Sequence, residues 1–148
     1  MDEAVIKYYR RMLRGNFEHT GSLPSPSIFL DSVGERIRVC GQIANNYLHL
    51  YLNVAGGRMA EVRYLCTCDP TANVAIEILC WLIKGATLDE ALALTEESFH
   101  PLLGGASAEL DRRAINLLEL LRRGILRYQA AQAQAAAEGK RLAGGHSP

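Results

Sequence analysis

Apolar residues along the chain follow three successive spacings. Over residues 2–14, Val5, Ile6, Tyr9 and Leu13 recur at i, i+1, i+4 and i+8, the stripe of one helix face. Gly15, Gly21, Pro24 and Pro26 then mark a loop. Strand signals begin at Ile28-Phe29-Leu30 and resume from Arg36 to Cys40. From Asn46 to Val54 the alternation is strict, with Leu48, Leu50, Leu52 and Val54 on one face and Tyr47, His49, Tyr51 and Asn53 on the other. Ala55-Gly56-Gly57-Arg58 reads as a hairpin turn, and the return strand runs from about Met59 to Cys66.

Past Cys66 the period becomes helical. Asp69 suits an N-cap with Pro70 at the first helical position. The helix that follows is apolar almost all round and ends at Gly85, which predicts burial. Thr87-Leu88-Asp89-Glu90 is a capping box that opens a shorter helix to about Leu94. A last helix starts near Ser107 and carries Leu110, Ala114, Leu117, Leu118, Leu121 and Ile125. The predicted architecture is α+β: a three-stranded antiparallel sheet with helices packed on one face. Residues 1–128 form the domain. Residues 129–148 are an Ala/Gln-rich tail, read as a helix extension or a disordered end, because they lack large apolar residues for docking.

Length and charge narrow the function classes. A chain of 148 residues supports one hydrophobic core. Its formal net charge is zero, and Arg10, Arg11, Arg14, Arg112, Arg113, Arg122 and Arg123 alternate with apolar residues at helical spacing. They read as solvated helix faces, so no nucleic-acid partner is expected. The N-terminus MDEAVIKYYRRML has no secretory pattern, and the run from Val74 to Ile83 is short and broken by Glu77. No membrane partner and a cytoplasmic location are the expectations, and in that compartment cysteines serve metals or reactivity more than disulfides.

The cysteines carry the candidate chemistry. Cys40 lies in Val39-Cys40-Gly41 at the end of a strand-like run, and Cys66-Thr67-Cys68 directly precedes a helix start. A helix N-terminus favours the thiolate, which is the form that binds metal. In an extended segment Cys66 and Cys68 point to the same side. Cys40, Cys66 and Cys68 are therefore the candidate metal and cofactor ligands, suited to zinc or an iron–sulfur cluster. Each has a plainer reading: Cys40 and Cys66 as small buried hydrophobes, Cys68 as an exposed turn residue. Cys80, among Ile78, Leu79, Trp81 and Leu82, reads as core. His19, His49 and His146 read as loop, strand-surface and tail residues without a role. His100, before Pro101, reads as a loop histidine with fourth-ligand chemistry as its alternative, and Asp111 as a helix-dipole partner with carboxylate ligation as its alternative.

These segments resemble the iron–sulfur cluster assembly scaffolds, the IscU/SufU proteins and the N-terminal domain of NifU. The family's Cys-Gly-Asp turn is matched by Cys40-Gly41-Gln42, its Tyr-Gly-Cys turn by Tyr64-Leu65-Cys66, and its Lys-Gly-x-(Ser/Thr)-Leu-Asp-Glu-Ala by Lys84-Gly85-Ala86-Thr87-Leu88-Asp89-Glu90-Ala91. An Ala-Ile pair recurs at Ala114-Ile115, and the likeness covers roughly residues 3–128. It departs where the family's chemistry sits: Gln42 replaces the Asp, while Ala106 and Ser107 stand at the His and third Cys positions. The Asn-Pro-Arg and Leu-Pro-Pro-Val-Lys segments and the SufU-type insertion are absent.

The resemblance implies a non-enzymatic scaffold that binds iron, sulfur or a nascent cluster, such as [2Fe–2S], and passes it on. It implies a cysteine desulfurase as sulfur donor, apo-protein acceptors, and a homodimer if a cluster bridges two subunits. Cys68 then stands in for the missing cysteine, and Ser107 is an N-cap. The alternative is a degenerate paralogue serving as a zinc-binding or metal-free interaction or regulatory module. A thiol enzyme of the sulfurtransferase kind is a third reading, weakened because no histidine lies near these cysteines in sequence.

Overall fold

The structure, a computed structural model, describes residues 1–15, 17–41 and 45–144. Gln42 and His146 lie outside these residues. Three strands, β1 (Ile28–Asp31), β2 (Leu48–Ala55) and β3 (Arg58–Cys66), form one antiparallel sheet in the order β1-β2-β3. Leu30 pairs with Leu50, and Leu50 with Tyr64, so the central register stacks large side chains on one face. Leu48, Leu50 and Leu52 are fully buried, as their alternation requires. The hairpin turn at Gly56 and Gly57 has two positive φ angles, 59° and 73°, the geometry that joins two twisted strands. A register shift between Asn53 and Val54 follows directly, and Val54 leaves the buried row.

Helices α1 (Glu3–Gly15), α2 (Pro70–Ile83), α3 (Leu88–Leu92), α4 (His100–Leu103) and α5 (Ala108–Gly144) cover the sheet's apolar face, with a 3-10 turn at Glu96–Phe99 before α4. The fold is thus the expected α+β class. α2 begins as its sequence dictates: Asp69 accepts from Ala72 N at 2.9 Å, and Pro70 occupies the first turn, where its missing N–H costs nothing. Ten of its residues are buried, Cys80 included. The Thr87/Glu90 capping box is formed at both ends. α5 crosses β1 at Gly124, where an added Cβ would fall 2.5 Å from Leu30 Cδ2; only glycine allows this approach.

Several expectations change. α1 buries Val5 of the predicted stripe together with Tyr8 and Met12, while Ile6 and Tyr9 are half-buried and Leu13 is 54% exposed. Both sets fit helical spacing; the face that packs against α2 was chosen. The strand expected at residues 36–40 is absent. Residues 32–36 form a turn in which Ile37 N donates to Ser32 O, and Asn116 of α5 donates to Arg38 O at 2.8 Å. Those backbone groups are thereby committed to a turn and a side chain and cannot join a ladder. The segment before α5, expected as loop, holds the 3-10 turn and α4. The tail past residue 128 remains helical to Gly144.

Candidate functional site

The loss of the strand at residues 36–40 changes how Cys40 is held. Its carbonyl accepts from Asp69 N and from Asn46 Nδ2, each at 3.3 Å, which ties the segment to the N-cap of α2. Gly41, at φ 106°, runs against the same cap: a Cβ there would sit 2.6 Å from Asp69 Oδ2. The other half of the site extends the β2–β3 hairpin. Thr67 N donates to Tyr47 O, and Tyr47 N donates to Thr67 Oγ1, both at 3.0 Å. These bonds carry the chain one residue past the ladder and deliver Cys68 to Cys40.

Cys40 and Cys68 are joined as a disulfide, with Cα atoms 4.1 Å apart. Cys66, two residues earlier and paired with Leu48 in the sheet, is a free, half-buried thiol. Burial pushes its pKa up, and only a backbone hydrogen bond at Cys68 works against that. This corrects the expectation of a helix-stabilised thiolate at Cys66: desolvation outweighs the dipole at a position still inside the sheet. In the oxidised protein, iodoacetamide is expected to label Cys66 slowly at neutral pH, with the rate rising only above the usual thiol range. Fast labelling at pH 7, mapped by mass spectrometry, would overturn this. Cys80 is fully buried, with its thiol pKa pushed far upward by desolvation, and should stay unlabelled.

The surroundings of the pair are polar and compensated. Asp69 Oδ2 accepts from Arg113 Nη2 at 2.8 Å, and Thr71 donates to Glu109 at 3.3 Å, so the first turns of α2 and α5 face each other across charge. A cavity of about 250 Å³ opens beside Cys40, walled by Ser32, Arg36, Arg38 and Asn46. Arg36 is held at φ 58°, an uncommon conformation for a residue with a side chain.

Among the described residues, no group of three or more His, Cys, Asp or Glu is arranged to hold a metal. Cys40 and Cys68 are brought together; Cys66 is not joined to them. Ser107 is buried and caps α5, accepting from Leu110 N at 3.1 Å while its hydroxyl donates to the Asp2 carboxylate. Ala106 is exposed and has no donor chemistry. The two weaker ligand candidates bind each other, His100 Nε2 meeting Asp111 Oδ1 at 2.9 Å.

Sequence reasoning missed one polar pair. His19, 1% exposed, contacts Glu77 Oε1 through Nδ1 at 2.6 Å. Its loop is pinned to the outer edge of β3, where Tyr64 N donates to His19 O and Gly21 N to Tyr64 O. A signal existed: Glu77 is the single charged residue in an otherwise apolar helix, and a buried charge needs a partner elsewhere.

No protein-family model matches the chain, and no curated protein matches it in sequence. Solved structures do. The N-terminal part of a nitrogen-fixing NifU-like protein from Brucella abortus superposes with a TM-score of 0.57 at 12% identity, covering 87% of this chain and 94% of that one. A protein from Fervidobacterium islandicum, described as an iron–sulfur cluster assembly scaffold for the SUF system, gives 0.48 at 13% identity over 82% of each chain. The first likeness establishes the fold: this chain is built like the NifU-like N-terminal structure.

Proposed function

We propose that this protein is an iron–sulfur scaffold-like carrier that receives iron, sulfur or a nascent cluster on Cys40 and Cys68 and hands it on without turnover catalysis. The observation that carries the reading is the meeting of Cys40 and Cys68 at the N-terminus of α2, in a chain with the NifU-like N-terminal fold. A dithiol reductant, itself oxidised to a disulfide, supplies the two electrons and two protons that free two adjacent thiols. Thiolates suit iron or zinc. Two per chain are too few for a closed four-ligand site, so a cluster shared between two copies, or Cys66 as a third thiolate, would complete the set. A cysteine desulfurase as donor and apo-proteins as acceptors fit this role. For zinc or a cluster, Asp69 and Arg113 would set the charge beside the site.

The test is anaerobic loading of the reduced protein with ferrous iron and sulfide. Iron and labile sulfide should be retained with visible charge-transfer bands. Cys68→Ser should abolish retention and Ser107→Ala should not. Retention by Cys68→Ser together with loss in Ser107→Ala would overturn the assignment. A second reading is a metal-free or zinc-binding interaction module. It is favoured by the disulfide, which withdraws both thiols. Stoichiometric zinc without iron, or neither metal in a folded reduced protein, would select it.

A further inference from the structure

Not all the apolar positions of α1 enter the core. Ile6 and Tyr9 stay half-buried, and Leu13 is 54% exposed. These three are spaced three and four residues apart, so they form one row about 10 Å long on the outside of the helix. Phe17 extends the row at its end, its ring centroid 6.2 Å from that of Tyr9. Such spacing is the seam along which two helices interlock. The inward face, Val5, Tyr8 and Met12, is already packed.

A second row runs beside the first. Lys7, Arg10 and Arg14, again three and four apart, are all exposed. Arg11 flanks them, its guanidinium 4.8 Å from the Tyr8 ring centroid. The arginines held in salt bridges among the described residues are Arg58, Arg113, Arg123, Arg127 and Arg141, none of them on α1. Of the nearby acids, Asp2 is bound by Ser107, Glu3 stands one turn before Lys7, and Glu18 lies beyond the helix end beside Arg11. The cations outnumber them, so α1 is positive in a chain that is neutral overall.

We infer that this outer face of α1 docks an acidic amphipathic helix of a partner protein. Apolar side chains of that helix interlock with Ile6, Tyr9 and Leu13, and its carboxylates meet Lys7, Arg10 and Arg14. The pairing of the two rows selects the class. A nucleic-acid backbone would match the cations and leave the apolar row uncovered. A helix that enters a bilayer buries a broad apolar face, and here that face is packed on α2. None of the four cysteines lies on α1, so the inference holds with either reading of the cysteines.

The probe is a fluorescein-labelled peptide about three heptads long, with leucine at a and d and glutamate at e and g. It is titrated with the full chain and read by anisotropy, beside a control peptide with lysine in place of glutamate. The acidic peptide should bind saturably in the micromolar range and the basic one should not. Leu13→Ser and Arg10→Glu, both surface changes, should each weaken binding about tenfold. Arg122→Glu, exposed on α5, should leave it unchanged. Amide shifts on peptide addition should fall on residues 6–14. No saturable response to the acidic peptide in the millimolar range, equal binding of the basic peptide, binding unmoved by either α1 variant, or equal weakening by Arg122→Glu would each overturn the proposal. Binding to phosphatidylserine vesicles without binding to the peptide would assign the face to a bilayer instead.

Discussion

His19→Leu is expected to lower the stability of the fold by about 3–5 kcal/mol, because it leaves a buried carboxylate with neither oxygen satisfied. Glu77 is only 2% exposed, so water does not readily take over the lost hydrogen bond. Replacing both partners with leucine should recover most of the loss, since no buried polar group of the pair is then left unpaired. Urea unfolding of the two single variants and the double variant closes the cycle. If His19→Leu costs less than about 1 kcal/mol, the His19–Glu77 contact does not stabilise the fold as its burial implies.

The second large effect concerns the Cys40–Cys68 bond. It spans 28 residues of sequence, including β2 and β3, and closing a loop of that length stabilises by about 3–4 kcal/mol through restriction of the unfolded chain. Unfolding free energies from urea titrations with and without a phosphine reductant should differ by that amount. Cys40→Ser and Cys68→Ser should each match the reduced wild type, and a reductant should then change nothing further. Cys66→Ser should leave the difference intact. If reduction leaves the midpoint unmoved, the two cysteines are not bonded in solution. Retention of iron by that same protein would then favour the scaffold reading, whereas a bonded pair that resists reduction would favour the module.

Much of the fold was legible because its signals are local. The Leu48–Leu50–Leu52 alternation, the Gly56-Gly57 turn, Asp69-Pro70 and the Thr87/Glu90 box each specify their own geometry within a few residues, and each is formed. What could not be read depends on contacts distant in sequence. Residues 36–40 alternate like a strand, yet Ser32 and Asn116 take their backbone groups. His19 looks like any loop histidine until the edge of β3 sets it against α2. For the site, the turn positions of Cys40 and Cys68 drew notice, whereas their pairing with each other depends on how the hairpin overruns its ladder at Thr67. Cys66 and Cys68 share a face in an ideal extended segment, but one belongs to the sheet and the other has left it.

The 37 residues of α5 form a rod about 55 Å long, of which only the first half is docked on the rest of the chain. From Ala130 to Leu142 every side chain is exposed. Such a segment would be a poor helix by itself, because starting a helix is the unfavourable step. Here the docked half has already made that start, and alanine-rich sequence needs only to propagate from it. Amide exchange along α5 should therefore not fall off at one boundary. It should quicken progressively from Tyr128 outward, like a zip fastener that opens from its undocked end and closes from the docked one.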